Sequence, residues 1–506
     1  MEFLKIKDLC ANRELRFTSL LIFIILCANK FDIQLTGGEE QYVAFAKHWA
    51  NPNWIPGSFS LEEFAGTRFL FQLINAPFAY FATMEWLALG GRLITFFLMS
   101  IPLALIFRKL RFHWVFVLFI MQLFVMSKQS FFAGEWIFDG YEPKAIAYIF
   151  LFYGLYHALE NNLRKASFHL AVSTAFHVLI GGWFFFLLSI IFLFQKRQKL
   201  LRQFILPYVL LLLPLGTYLF YGYFAAPVVE TDLDLNRIYC YYRLPHHCGI
   251  FYSVEYFIKH HLEGVLISTG VLAISLVFRR FIPQNLKLVA QIMYSALSLN
   301  LIFVGAAWLD TQVMDYQLSG LLKFYPFRTN SLAMLCFFWI LGSILWERII
   351  ARRKSTWVSR TVIVVSVGLL ISQLINSVVM FQNPKIPDGF VAMCDYIEAN
   401  TEQDDSFILI NIPVNQRSQY QFIRHAQRES FCVNKFVSAE KGKLAEWYAR
   451  QKLMGRINKD NSLLLTLSDQ YDVDYVLSDS SIEDLKLVHQ QEELYLYSLK
   501  SEHPDP

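Results

Sequence analysis

Charge is scarce in this chain. Asp, Glu, Lys and Arg supply 17% of its 506 residues, against about a quarter in soluble domains. Hydrophobic residues make up 55% and aromatic residues 17%. The deficit coincides with repeated long apolar runs and a mean hydropathy of +0.37. An ordinary soluble domain is thereby excluded, and the chain reads as a polytopic membrane protein. The formal net charge of +4 forms no basic stripe, which excludes a nucleic-acid partner. The C-terminal segment lacks a Gly-rich phosphate loop, a Ser/His/Asp grouping and a CxxC pair. At the N-terminus, Lys5, Lys7, Arg13 and Arg16 precede an apolar run with no small-residue cleavage site after it, so a retained first helix is expected rather than a signal peptide.

What is present is a series of apolar segments, each approaching the roughly 20 residues a membrane crossing needs. Candidate spans are 16–31, 84–107, 112–127, 142–159, 166–179, 180–195, 203–224, 263–278, 287–309, 326–347 and 360–381. Cytoplasmic loops collect Lys and Arg. The basic segments RKLRFH (108–113), NNLRKAS (161–167), QKRQKLLR (195–202), FRRFIPQNLK (278–287) and ERIIARRKSTWVSR (347–360) fall on the side of the N-terminus. This requires that 64–82 does not cross and that 166–195 crosses twice. The expected result is an all-α transmembrane bundle of about eleven spans over residues 1–381, with the N-terminus in the cytoplasm. Segments 32–83, 128–141, 225–262, 310–325 and 382–506 lie on the exoplasmic face. The run FAGTRFLFQLINAPFAYF (64–81) is read as an interfacial helix, since a twelfth span would put 108–113 outside.

After a Pro-containing linker, residues 382–506 alternate helices (FVAMCDYIEAN, KLAEWYARQKL) with strands (SFILINIP, the end of LLLTLSDQYDVDYVLSD, and two strands in LKLVHQQEELYLYSLK). That pattern predicts a small exoplasmic α/β domain. Four of the seven cysteines, Cys240, Cys248, Cys394 and Cys432, fall in exoplasmic parts. Pairs Cys240–Cys248 and Cys394–Cys432, or four free thiols, both fit this placement.

Candidate chemistry gathers on the outer face. In GGEEQY, Thr36 and Glu39 have capping-box spacing, and Tyr42, Phe45, Ala46 and Trp49 form one apolar stripe. A short surface helix is predicted, with Glu39 and Glu40 in its first turn. Capping accounts for Glu39 and less well for Glu40. The next outer loop, GEWIFDGYEPK, carries Glu135, Asp139 and Glu142 before Pro143 and Lys144. Carboxylates at this depth can act as a general base, or Glu40 and Glu142 can hold a divalent metal such as Mg or Mn. Arg328 in FYPFR, with Arg68 and Lys144, suits a phosphate because a guanidinium binds it with two parallel hydrogen bonds. His177, before Gly181 and Gly182, is either a ligand or proton carrier, or a hydrogen-bonded structural residue. Glu85 and Arg92 are charges inside the second span.

Together these features resemble the GT-C glycosyltransferase superfamily. The likeness lies in one N-terminal span, a large outer loop opening on a paired acidic motif (GGEEQY), a second acidic loop before span four (FDGYEPK), a helical pair around AFHVLIGG and an outer C-terminal α/β domain. More closely, YEPKAIAY, FHVLIGG, PFR and EWYAR…YDVDYVLSD look like an uncharacterised family of bacterial polytopic proteins. The resemblance implies a bacterial plasma-membrane enzyme that takes sugar from a polyprenyl-phosphate donor. It further implies a catalytic first-loop carboxylate at Glu39 or Glu40, a second-loop acid at Asp139 or Glu142, and substrate contacts that include Lys144, Arg328, His177 and Arg68. The superfamily's first-loop motif usually includes Asp, where this chain has Glu-Glu. A flippase of lipid-linked glycan and a non-catalytic membrane scaffold are the alternatives.

Overall fold

The computed structural model describes residues 12–62, 64–225, 231–347, 356–382, 386–412, 418–437, 440–458 and 460–500. Lys5, Lys7, Cys10, most of the basic loop 347–360 and part of the linker after Phe381 lie outside the described residues. The chain folds as two compact units. One comprises the N-terminal residues through Asp32, Leu89–Leu219 and Asn236–Gln382; the other comprises Ile33–Ala88, Phe220–Leu235 and Asn383 onward. The first outer loop is therefore built into the same unit as the C-terminal segment.

The first unit is helical. Among the described residues, five helices are long and apolar enough to cross a membrane: Met84–Lys109, Leu201–Gly222, Gln284–Gln312, Ser319–Leu345 and Trp357–Gln382. Val254–His260 and Leu262–Val277, bent by 60° at a break, form a sixth candidate. The remaining expected spans also fold as helices but are short: Arg13–Lys30 has 18 residues, Trp114–Met126 has 13, Pro143–Leu159 has 17, Leu163–Phe176 has 14 and Val178–Phe194 has 17. Asn12 caps the first of these by accepting from the Leu15 amide at 3.1 Å, and Pro143 opens the third where its missing N–H costs nothing.

Small polar side chains tie these helices together, since a hydroxyl in an apolar bundle must find an acceptor. Ser19 and Ser100 share a hydrogen bond of 2.8 Å, Ser377 donates to the Ala28 carbonyl at 2.8 Å, and Ser173 donates to that of Ala147 at 2.9 Å. His177 caps the Val178–Phe194 helix by accepting from the Ile180 amide at 3.3 Å. Gly181, one turn on, lies so close to the preceding helix that a Cβ there would overlap the Thr174 backbone.

The predicted strand and helix order of the C-terminal segment is present. Strands β1 (Ser406–Ile410), β2 (Glu429–Ser430), β3 (Tyr475–Ser478), β4 (Lys486–Gln491) and β5 (Leu494–Ser498) form one mixed sheet in the order β2-β1-β3-β5-β4. β1 pairs in parallel with β2 and β3, and β5 runs antiparallel to β3 and β4. The core joins Phe390, Met393, Cys394 and Ile397 of the Asp388–Asn400 helix to Phe407, Leu409, Leu477 and Leu496 of the sheet. One helix was not foreseen, Ser418–Ala426, together with the two-residue strand β2 that follows it.

That extra helix changes the surroundings of the first loop. Val43, Ala44, Phe45 and Ala46 of the Gly37–Ala50 helix share a core with Tyr420, Ile423, Val433 and Phe436. A single apolar stripe was expected there. Instead the helix is buried around most of its girth, with Trp49 left 42% exposed. The 64–81 run forms a short 3₁₀ turn and an 11-residue helix, Phe69–Ala79, about 16 Å long and too short to cross a bilayer.

Candidate functional site

Within the second unit the paired glutamates have distinct surroundings. The capping box is present: Thr36 Oγ1 accepts from the Glu39 amide at 3.2 Å, and Glu39 Oε2 accepts from the Thr36 amide at 2.7 Å. Glu40, one residue on, is 1% exposed. Its carboxylate accepts from Arg424 Nε at 3.2 and 3.0 Å, and the Nη1 of the same guanidinium binds Glu85. One cation thus serves two carboxylates. Burial pushes the pKa of Glu40 up to about 7; Arg424 opposes this, and the nearby charges of Glu85 and Glu39 add to it. Arg424 is itself partly desolvated, yet its two acidic partners hold its pKa above the ordinary value. Arg68, expected to contact substrate, lies in this unit with its guanidinium over the Phe45 ring at 4.0 Å.

The first unit holds the second constellation, centred on an acid of the GEWIFDGYEPK loop to which the sequence assigned no role. Glu135 is bound by Lys144 Nζ and Arg328 Nη1, and by His247 Nε2 at 2.9 Å. Glu142 also approaches Lys144, at 3.2 Å. Lys144 lies over the Trp136 ring at 3.7 Å, and His247 Nδ1 meets the Ala133 carbonyl at 3.2 Å. Burial alone would push the Glu135 carboxyl up. Arg328, Lys144 and His247 together outweigh burial and hold it well below the usual carboxylate range. His177 lies within electrostatic reach of Arg328, Glu135 and Lys144, so its capping role and its place beside this cluster coexist. Asp139 stands apart from Glu142: it pairs with Lys30. Arg92, the charge inside the second span, is satisfied locally by the Lys30 carbonyl at 3.0 Å and Asp32 at 3.7 Å.

The structure thus brings together Glu142, Lys144, Arg328 and His177 around Glu135, while Glu39, Glu40 and Arg68 belong to the other unit. The metal reading of Glu40 and Glu142 is not supported: each is engaged by a basic side chain, and among the described residues no group of three or more His, Cys, Asp or Glu side chains is placed to hold a metal. The cysteine pairs are open. Cys240, Cys248 and Cys394 are free thiols in apolar cores, and Cys432 is a buried free thiol that accepts from Gln451 Nε2 at 3.0 Å, which is the second of the two arrangements the sequence allowed. Part of the aromatic segment 239–251 is likewise interior: Tyr241 and Phe251 pack in a core, and Tyr241 donates to Asp310 at 2.7 Å. The one signal that pointed to Arg424 is the amphipathic run SQYQFIRHA, which places Arg424 one residue from the core-facing Ile423.

The chain matches no protein-family model and no curated protein sequence.

Proposed function

We propose that this integral membrane protein is a GT-C-type glycosyltransferase, using a polyprenyl-phosphate-linked sugar as donor at the outer membrane face. In this reading the bundle has the eleven-span arrangement described above, with the N-terminus in the cytoplasm and the C-terminal domain outside the cell. The observation that carries it is the convergence of Lys144, Arg328 and His247 on the single buried carboxylate of Glu135. The two cations among them, Lys144 and Arg328, suit a departing phosphate, which gains a third free oxygen and further negative charge as its bond to the sugar breaks. Arg328 and Lys144 would hold the phosphate as leaving group, with Glu135 fixing their positions.

In the transfer step a carboxylate takes the proton of the acceptor hydroxyl, whose oxygen attacks the anomeric carbon. The bond from that carbon to the phosphate oxygen breaks, and polyprenyl phosphate leaves with the electron pair. Among the candidate acids Glu142 suits the base, because it lies beside Lys144 at 3.2 Å, in the same unit as the side chains that hold the phosphate. The test is transfer from a labelled polyprenyl-phosphate sugar. Arg328→Gln and Lys144→Gln are expected to lose most turnover, and full turnover by both would sink the proposal. Full turnover by Glu142→Gln would remove Glu142 from the role of base.

The non-catalytic scaffold is the second reading. It is favoured by the internal use of both first-loop carboxylates, one in a cap and the other in a buried ion pair. Normal cellular function after neutralising Glu39, Glu40, Asp139 and Glu142 together would favour it.

A further inference from the structure

Helices Pro143–Leu159 and Thr329–Leu345 both begin beside the Glu135 cluster, at Lys144 and Arg328. At about 1.5 Å per residue, 17 residues carry each about 25 Å away. Their far ends, at Tyr156 and Ser343, line a cavity of 740 Å³, within the range of about 300–1,000 Å³ usual for ligand sites. The cluster that carries the proposed chemistry does not contribute to it.

The cavity is basic. The last turn of the Met84–Lys109 helix contributes Arg108 and Lys109, and the turn after it contributes Arg111. The facing carboxylates are Glu160 and Glu347. Lys109 occupies Glu160 at 2.6 Å. Among the described residues, neither Arg108 nor Arg111 has a hydrogen bond or ion pair from its side chain. The wall also contains His113, whose ring stacks on Trp346 at 4.6 Å, an aromatic pairing suited to the membrane edge.

The local backbone is built to put Arg111 there. The Phe112 amide reaches back to the Phe107 carbonyl at 2.9 Å, the bond that closes a helix through a left-handed residue and is usually served by glycine. Here the left-handed position, at φ 59°, is Arg111. The helix dipole would oppose an anion at this end. Against it stand the charges of Arg108 and Lys109 in the same turn, and the Leu110 carbonyl is already engaged by Asn285 Nδ2.

We infer that this cavity binds a phosphate group, presented by an anionic lipid headgroup or by a soluble phosphate compound, through the guanidiniums of Arg108 and Arg111. Basic pockets between membrane helices hold such headgroups, and the planar fork of arginine matches phosphate oxygens.

The test uses the full-length protein in neutral detergent, with thermal unfolding and ligand titration as readouts. Short-chain phosphatidylglycerol is expected to raise the unfolding temperature, and short-chain phosphatidylcholine is not. Arg108→Gln/Arg111→Gln is expected to weaken the phosphatidylglycerol response about tenfold or more. Arg111→Gly removes one guanidinium and suits the left-handed backbone. It is expected to unfold at the same or a higher temperature without ligand, yet respond less to phosphatidylglycerol, which separates lost binding from lost folding. A response to inorganic phosphate that the same substitutions remove supports a soluble ligand; a response confined to phosphatidylglycerol supports a headgroup. Equal responses to phosphatidylglycerol and phosphatidylcholine would overturn the inference. So would undiminished binding by both variants, or no response to phosphatidylglycerol and none to inorganic phosphate.

Discussion

Arg424 and Glu40 are 384 positions apart in the chain, and Arg424 Nε lies 3.0 Å from Glu40 Oε2. The contact joins the first turn of the Gly37–Ala50 helix to the Ser418–Ala426 helix, and the same guanidinium binds Glu85. Removing the arginine leaves the Glu40 carboxylate buried without its cation, while Glu85 is partly exposed to solvent. Arg424→Met is therefore expected to destabilise the fold by about 3–5 kcal/mol, read from thermal or denaturant unfolding. Glu40→Gln keeps the shape and leaves Arg424 with Glu85, so its expected cost is below about 1.5 kcal/mol. Similar costs for the two substitutions would contradict this division of roles.

The pH dependence has a definite sign. Glu40 binds its proton more tightly folded than unfolded, with a pKa raised to about 7. Its contribution to stability is full below about pH 4.5 and is lost as pH rises through about 7, by at most about 3 kcal/mol. Unfolding temperature measured from pH 5 to 8 should fall less steeply in Glu40→Gln than in the parent. An unchanged slope would refute the assignment.

Glu135 has the opposite sign. Its pKa is held well below the ordinary value, so its contribution is present above about pH 4.5 and is lost as pH falls through the depressed pKa. Glu135→Gln leaves Lys144 and Arg328 without their shared counter-charge and should cost about 3 kcal/mol. Glu135→Gln/Arg328→Met is expected to cost less than the two single substitutions added together, the double-mutant signature of a direct pair.

Two neighbouring glycines should respond in opposite directions. At Gly181 a Cβ would overlap the Thr174 backbone, whereas at Gly182 the nearest atom, the Tyr208 hydroxyl, is 4.0 Å away. Gly181→Ala is expected to force the helices apart and cost about 1–3 kcal/mol. Gly182→Ala should be neutral or stabilising by up to about 1 kcal/mol, through helix propensity. Unfolding measurements on the pair check both.

The buried thiols give a chemical check. Cys240 and Cys248 are free and fully buried, so alkylation should be slow in the folded protein and complete at both after denaturation without reductant. A mass two hydrogens lower, with neither residue alkylated, would show that they had paired.

Much of the first-loop helix was legible because its signal is local. Thr36 and Glu39 are three residues apart, and such spacing fixes a capping box whatever surrounds it. The C-terminal strands were legible for a similar reason: short apolar runs such as SFILI and LYLYS are bounded by polar turns. The Ser418–Ala426 helix was missed because its amphipathic pattern spans only nine residues. It is held by Tyr420 and Ile423 packing on the first loop, a contact with no mark in the local pattern. Cys240 illustrates the same limit. Its loop reads as an outer segment, and the fold buries Tyr241, Phe251 and Phe257 with it in a core.

The sequence by itself determined that this is a membrane protein, because a shortage of charge and a surplus of long apolar runs are properties that no folding can undo. It also determined which carboxylate caps a helix. Only the tertiary structure decided that Glu40 belongs to Arg424 and that Glu135 gathers Lys144, Arg328 and His247. A buried charge must find its counter-charge, and the partner can come from anywhere in the chain. That capping leaves Glu40 without a role can be read in the sequence, but its burial and the residue that answers it are set by how distant helices pack.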